Sequence, residues 1–326
     1  MTEPLITVQD LHKRFVRPRT PVQIMRREKP AAVAALNGVN LAVSRGETLA
    51  IVGESGCGKS TLARCLVRLH APDQGHIVYA GRDIATLDGV ARQDFSRRVQ
   101  MVFQDPYGSL NPRKTIGRQI TEPIEVHRLR RGPDVDRRVR ELLAMIGLPP
   151  EAACRYPHSF SGGQRQRISI ARALALEPEC FIADEIVSAL DVSVQAQIIN
   201  LLLDLQRRLT LTIVFVSHDL HLVRYLGQRV AVMYLGRVVE QGSSEQIFSQ
   251  PLHPYTQALI AASPSMDFDR KRTAPAVRGE LPSPLAVPTG CAFHPRCPLA
   301  IAQCRDEAPE DRAFGGRLVA CHLARP

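Results

Sequence analysis

Between about residue 5 and residue 260 the chain alternates short apolar runs with stretches whose apolar positions recur at helical spacing. The clearest runs are Thr48–Val52, Val99–Phe103, Cys180–Ala183 and Leu211–Val216. All but Val99–Phe103 are near-continuous, the pattern of strands buried on both faces of a parallel sheet. Helical patterns follow at Lys59–Leu69, Gly162–Leu176 and Val194–Leu209. The alternation predicts an α/β sandwich with a largely parallel sheet. Residues 110–158 show helical stretches without a clear strand, so a helical insertion is expected there, as part of a helical subdomain over about 110–175. Around 261–290 the texture changes, with Pro264, Pro275, Pro282, Pro284 and Pro288 marking a linker. The expected division is therefore 1–262 and 263–326, the second part a small cysteine-rich tail.

Composition sharpens this picture. The 326 residues are 44% hydrophobic, enough for a packed core, which excludes a wholly disordered chain. No apolar run approaches the ~18 residues that a membrane-crossing helix needs. The N-terminus lacks a basic region followed by an apolar stretch, so no secretory leader is expected. The eight cysteines are then expected to be thiols or metal ligands in a reducing cytosol. The net charge of +10 is concentrated: residues 13–29 hold seven Lys/Arg and one Glu, and residues 128–140 six Arg and two Asp. Such a surplus suits nucleic acid, anionic lipid or an acidic partner, or two solvated basic faces.

The segment Gly53-Glu-Ser-Gly-Cys-Gly-Lys-Ser60 follows an apolar strand and opens a helical stretch, the context required by the phosphate-loop pattern G-x-x-x-x-G-K-[ST]. Glycines there let successive N–H groups turn toward phosphate oxygens, and the helix N-terminus adds its positive end. The nucleotide-binding set is Gly53, Glu54, Ser55, Gly56, Cys57, Gly58, Lys59, Ser60 and Thr61. Lys59 can bridge phosphate oxygens and Ser60 can ligate Mg2+. A second strand, Cys180-Phe-Ile-Ala, ends in Asp184 and Glu185. Strand alternation points these carboxylates in different directions. Asp184 is placed to hold Mg2+, and Glu185 to deprotonate the attacking water.

Phe160-Ser-Gly-Gly-Gln164 is followed by Arg165-Gln-Arg167, which lies 17 residues before the Asp184-Glu185 pair. As a local pattern it is a helix N-cap at Ser161. It also resembles the signature motif of ATP-binding cassette (ABC) ATPases, and other elements fall in that family's order. Gln104 resembles the Q-loop glutamine, Ser188-Ala-Leu-Asp191 the D-loop, and His218 the switch histidine. Phe15 occupies the place of the adenine-stacking aromatic. The resemblance covers roughly residues 5–260. It implies a P-loop ABC fold with a mixed sheet core plus β-rich and helical subdomains. It also implies a head-to-tail pair of ATPases, with each ATP between one domain's phosphate loop and the other's Ser161, Gly162, Gly163 and Gln164. Glu185, His218 and Gln104 are the implied catalytic residues, Gln104 also reaching Mg2+, and Asp191 is the D-loop aspartate.

A narrower resemblance is to the ATPases of bacterial dipeptide and oligopeptide importers. It rests on Phe103-Gln-Asp-Pro-Tyr-Gly-Ser-Leu-Asn-Pro112, Ser188–Gln197, His253-Pro-Tyr-Thr-Gln-Ala258 and Gly279-Glu-Leu-Pro-Ser-Pro284. The insertion between Phe15 and Ala34 is most like the second ATPase subunit of dipeptide importers. Two positions depart from the usual pattern: Ile186-Val187 follow the catalytic Glu where most relatives have proline, and Phe160 replaces the commoner Leu. The implied partners are a homologous ATPase, as heterodimer rather than homodimer, two transmembrane permease subunits and an extracytoplasmic substrate-binding protein. The implied place is the cytoplasmic face of the inner membrane, with no nucleic acid bound. Oligopeptides, nickel complexes and glutathione are alternative cargoes. A non-transport cassette ATPase acting on nucleic acid is the rival of another class, as is an iron–sulfur protein with a regulatory nucleotide site.

Cys291, Cys297, Cys304 and Cys321 place half of the cysteines in about a tenth of the chain, without the C-x2-C pairs of zinc ribbons. Four thiolates would suit Zn2+ or a 4Fe-4S cluster. The resemblance of Gly290-Cys-Ala-Phe-His-Pro-Arg-Cys-Pro298 to the peptide-importer tail favours the cluster. His294 and His322 are read as bystanders, and Cys57, Cys65, Cys154 and Cys180 as ordinary buried thiols.

Overall fold

The computed structural model describes residues 3–16, 19, 25, 31–105, 108–263, 282, 283 and 285–325. Most of the basic segment 13–29, Pro106 and Tyr107, the linker prolines Pro264, Pro275 and Pro284, and Gly279–Leu281 lie outside the described residues.

In chain order the first elements are β1 (Pro4–Val16), β2 (Ala32–Ser44), β3 (Thr48–Val52), α1 (Lys59–Leu66), β4 (Gln74–Tyr79) and β5 (Arg82–Asp83). Next come α2 (Gly89–Arg98), β6 (Val99–Val102), α3 (Ile116–Val126), α4 (Pro133–Met145), α5 (Gly162–Leu174) and β7 (Cys180–Asp184). Then follow α6 (Val192–Leu209), β8 (Thr212–Val216), α7 (Leu220–Leu226), β9 (Arg229–Tyr234) and β10 (Arg237–Ser243). The chain ends with α8 (Ser244–Ser249), α9 (Pro254–Ala262), α10 (Gln303–Asp306), β11 (Arg312–Phe314) and β12 (Arg317–Val319). The four strands expected from apolar runs all form, each within one or two residues of its expected ends.

The chain divides into two compact units. The first holds residues 44–47 and 86–216. Its strands β6, β7 and β8 run parallel, with Val99 beside Cys180 and Cys180 beside Thr212. Every residue of β7 and β8 is buried, which is why these runs carry no polar alternation. Helices α3, α4 and α5 pack on one another through Ile116, Ile120, Leu142, Leu143 and Ile168, all at or near zero exposure. These helices lie within the stretch where a helical insertion and subdomain are expected. The basic stretch inside it is laced with carboxylates: Arg130 pairs with Glu177 at 2.5 Å, Arg137 with Asp134 at 2.9 Å and Arg138 with Glu141 at 3.3 Å. It is therefore in part an ion-paired, solvated face, each such pair contributing little stability.

The second unit holds residues 4–43, 48–85 and 217–326. One sheet orders its strands β2-β1-β4-β5. In the other, β3 pairs with β9 in parallel, β9 turns back into antiparallel β10, and β10 pairs with β12 of the tail through Glu240–Val319 and Gln241–Leu318. The tail thus extends, through β12 and β10, the sheet that contains the strand feeding the phosphate loop. Val319, Cys321 and Ala324 form a small apolar cluster with Leu252, Phe314 and Leu323. Among the described residues no helix is long and apolar enough to cross a membrane.

Candidate nucleotide-binding site

The phosphate loop leaves fully buried β3 and enters α1 through Gly58, which sits at φ 106°, ψ 0° as the helix N-cap. A side chain at Gly58 would be strained in that conformation, and its Cβ would lie 2.2 Å from the Ala35 carbonyl oxygen. At Gly53 the neighbour is the Met233 carbonyl oxygen, again 2.2 Å from an added Cβ. These two glycines are required by close backbone approach. The turn after β9 grips the loop from the other side, since Gly236 N–H donates to the Cys57 carbonyl at 2.8 Å. Lys59 is buried, and its ammonium donates to the carbonyls of Gly53 at 2.9 Å and Glu54 at 3.1 Å. The lysine is held folded over the loop. Burial pushes the Cys57 thiol pKa up, against the pull of Lys59, so Cys57 behaves as a small packed side chain.

Two further expected residues share this unit. Phe15, at the end of β1, is partly exposed, and its ring meets His70 edge-on at 5.2 Å. Lys13 Nζ lies 5.6 Å from the same ring. His218 is exposed in a short turn fixed on both sides. Ser217 N–H donates to Ile51 of β3 at 3.1 Å, and Asp219 caps α7 by accepting from His221 N–H at 2.8 Å. The switch position is thus tied to the strand that leads into the phosphate loop.

The other expected residues share the first unit. Asp184 is buried at the end of β7. Glu185 has φ 49°, a left-handed conformation that a non-glycine residue adopts only where its surroundings enforce it. Its N–H donates to Val216 at 3.0 Å, and its carbonyl accepts from Ser188 Oγ at 2.9 Å and Ser188 N–H at 3.1 Å. Gln104, exposed beyond β6, donates from its side-chain amide to Ser188 Oγ at 3.0 Å. Ile186 and Val187, which follow Glu185, are buried, so packing restrains this turn.

Ser161 caps α5 in a complete capping box, accepting from Gln164 N–H at 3.3 Å while Gln164 Oε1 accepts from Ser161 N–H at 3.0 Å. Gly163 meets the start of α6, where an added Cβ would lie 2.3 Å from Val194 Cγ1. Gly162 is looser, with Leu190 Cδ2 at 3.4 Å from its added Cβ. Local structure therefore accounts for more of this motif than a cap alone suggested: Gln164 closes the box, and Gly163 admits α6. Asp191 heads α6 but its carboxylate makes no capping hydrogen bond, and Val192 beside it is 81% exposed.

This geometry, a gripped phosphate loop with its lysine and a strand ending in a strained Glu, is accompanied by clear relationships to known proteins. The ABC transporter family model matches residues 36–188, and the model for the oligopeptide/dipeptide transporter C-terminal region matches residues 239–304. A probable peptide ABC transporter ATP-binding protein of Sinorhizobium fredii is 51% identical over all of this chain and 92% of its own length. The chain belongs to the ABC transporter ATP-binding proteins. The oligopeptide transport ATP-binding protein of Bacillus subtilis is 48% identical, covering 98% of each chain. The dipeptide transport ATP-binding protein of Escherichia coli is 47% identical over 98% of this chain and 95% of its own. Among solved structures, an ABC cassette determined as a post-hydrolysis dimer with ADP and phosphate matches at 29% identity and a TM-score of 0.62, over 73% of this chain and 98% of that one. A cassette subunit from Clostridium perfringens matches at 27% identity and a TM-score of 0.64, over 76% of this chain and 91% of that one.

The tail corrects one expectation. Among the described residues no group of three or more His, Cys, Asp or Glu side chains is arranged to hold a metal ion. Cys291, Cys297, Cys304 and Cys321 are all free, and Cys304 and Cys321 are buried, the latter within the apolar cluster beside Val319. Burial pushes the Cys291 thiol up to about 11 and raises those of Cys297 and Cys321, which favours thiols over thiolates. The four-thiolate set expected for a 4Fe-4S cluster, or for Zn2+, is not formed in this arrangement. Cys154, expected to be buried, is exposed at the end of a short 3-10 turn over Pro150–Cys154.

Tyr255 and Arg296 lie outside the candidate site residues, and Ser188 enters only as the first residue of the D-loop-like segment. Each nevertheless touches the machinery: Tyr255 and Arg296 the phosphate loop, Ser188 the Glu185 turn. All three lie in stretches singled out for their resemblance, and only the folded chain shows what their side chains contact.

Proposed function

We propose that this chain is the ATP-binding and hydrolysing subunit of a peptide importer, dipeptides being its cargo. The supporting observation is its near-full-length identity to the peptide, oligopeptide and dipeptide transport ATP-binding proteins, together with an intact phosphate loop. In this reading the loop backbone and Lys59 bind the triphosphate, and Phe15 stacks on the base. Ser60, Asp184 and Gln104 would hold Mg2+, which supplies charge neutralisation of the phosphates when bound. Glu185 takes the proton of the attacking water, and His218 orients the γ-phosphate end. Ser161–Gln164 and Asp191 serve the partner's nucleotide. The exposed α5 N-terminus and a D-loop carboxylate unused in capping support that assignment.

The partners are a homologous ATPase, forming a heterodimer, two permease subunits, and a substrate-binding protein outside the membrane. The site of action is the inner face of the cell membrane. Co-expression with the permease subunits of a peptide importer tests the reading. The expected result is a co-purifying complex that hydrolyses MgATP and imports dipeptide into vesicles. A complex that hydrolyses MgATP but moves oligopeptide, nickel or glutathione instead would reassign the cargo. A chain that binds no permease would overturn the transport role.

A further inference from the structure

Glu54 stands inside the phosphate loop, yet its side chain is held by a residue 242 positions away. One guanidinium nitrogen of Arg296 donates to both carboxylate oxygens, at 3.1 and 3.0 Å. Arg296 is 11% exposed and Glu54 29%, so the pair is largely shielded from solvent. The backbone of the same residue is held too, since Glu54 N–H donates to the Tyr255 hydroxyl at 3.0 Å.

An aromatic cluster carries both contacts. The rings of Tyr234, Tyr255 and Phe293 lie 4.6 to 5.5 Å apart, and each is fully buried. Arg296 N–H donates to the Phe293 carbonyl at 3.0 Å, and its guanidinium lies 5.9 Å from the Tyr234 ring centre. Burial works against the Arg296 charge, but its hydrogen bonds to Glu54 and Tyr234 outweigh this and hold its pKa above the ordinary value. Phe293 and Arg296 belong to the tail, Tyr255 to α9 and Tyr234 to β9. The tail therefore reaches the nucleotide site through one ion pair and one aromatic wedge.

A carboxylate in a loop built for a polyphosphate repels its ligand unless it is neutralised. We propose that Arg296 is a positioning residue of the nucleotide site: it neutralises Glu54 and so sets the affinity of the phosphate loop for nucleoside triphosphate. The inference rests on the nucleotide-binding reading above. The effect is larger for the triphosphate than for the diphosphate, which carries less negative charge.

The test is titration calorimetry of the full chain with MgATP and MgADP. Arg296→Ala is expected to weaken MgATP binding roughly fivefold and MgADP binding less, the scale of one uncompensated charge several ångströms from the ligand. Arg296→Lys keeps the charge and retains most of the affinity. In Glu54→Gln/Arg296→Ala, removal of the carboxylate restores MgATP binding to near the parent value. A purely packing role for Arg296 cannot produce that rescue. Glu54→Gln alone leaves the Arg296 charge unpaired beside the loop and is expected to tighten MgATP binding. Parent-like binding in Arg296→Ala, or a double variant as weak as Arg296→Ala, overturns the inference. Should Arg296→Ala fail to fold, Glu54→Gln decides, because unchanged or weakened MgATP binding in that variant overturns the inference as well. A parent chain that binds no MgATP overturns the nucleotide reading and this inference together. A parent that binds, with no rescue in the double variant, overturns this inference alone.

Discussion

The side-chain amide of Gln104 donates to Ser188 Oγ at 3.0 Å, and that hydroxyl in turn donates to the Glu185 carbonyl at 2.9 Å. A residue after β6 is thereby linked, through one serine, to the left-handed turn that presents the proposed catalytic carboxylate. Ser188→Ala cuts the link without touching any carboxylate. The expected result is a roughly tenfold loss of kcat through misplacement of Glu185, with KM for ATP within about twofold of the parent. Steady-state ATPase kinetics of the assembled transporter read this split. An unchanged kcat would show that the turn is held by packing alone.

Glu185 itself carries the sharper expectation. Glu185→Gln preserves the shape of the side chain but removes the base, so MgATP binding should persist while turnover falls by about two to four orders of magnitude. Equilibrium binding and hydrolysis, measured on the same preparation of the assembled transporter, separate the two. Hydrolysis at the parent rate would remove Glu185 from its role.

Much of the architecture was legible because buried parallel strands write themselves as apolar runs, and the phosphate loop carries its own punctuation. The errors cluster at helix ends. Helix α1 stops at Leu66 rather than Leu69, and the chain turns left-handed at Arg68, φ 59°. Helix α5 stops at Leu174 rather than Leu176, ahead of Glu177 at φ 52°, whereas α6 ends at Leu209 as expected, with Thr210 at φ 51° as its C-cap. A helix that ends left-handed usually announces itself with glycine. Here a long polar or β-branched side chain takes that conformation, and tertiary contacts override the local preference. The Arg296–Glu54 pair was illegible for a different reason, since nothing local relates residues so far apart in the chain. The concentration of cysteines in the tail did not translate into a metal site among the described residues, because clustering in sequence does not supply ligand geometry.

Gly163 offers a test of how the signature segment is built. A methyl group there meets Val194 Cγ1 at 2.3 Å, closer than any real contact, so Val194 must leave its rotamer or α6 must shift. Gly163→Ala is expected to lower stability by about 1–3 kcal/mol, the usual cost of overpacking. Val194→Ala, which removes the opposing methyl groups, should recover most of that loss in the double variant. Urea unfolding of the four chains gives the coupling, and simple additivity would mean that the segment yields without moving α6.

The last prediction concerns acid. His253 caps α9, its Nδ1 accepting from Tyr255 N–H at 3.0 Å, and its backbone N–H donates to Glu240 at 3.0 Å. It is fully buried, and burial lowers its pKa to about 3 from an ordinary 6.5. The folded chain thus keeps this imidazole neutral where the unfolded chain protonates it. Between about pH 6.5 and pH 3 the unfolded state binds the extra proton, so stability falls as the pH falls, by at most ~1.4 kcal/mol per pH unit from this group. Glu240 acts in the opposite sense, because burial raises its pKa and the folded state takes up its proton first. Comparison of His253→Asn with the parent leaves Glu240 in both chains and isolates the histidine. Asparagine can still accept the Tyr255 N–H as an N-cap. Thermal unfolding from pH 8 to pH 4.5 should therefore show a shallower acid limb in His253→Asn, with the two curves diverging below about pH 6.5. Parallel curves would mean that His253 takes up a proton in the folded chain as readily as in the unfolded one.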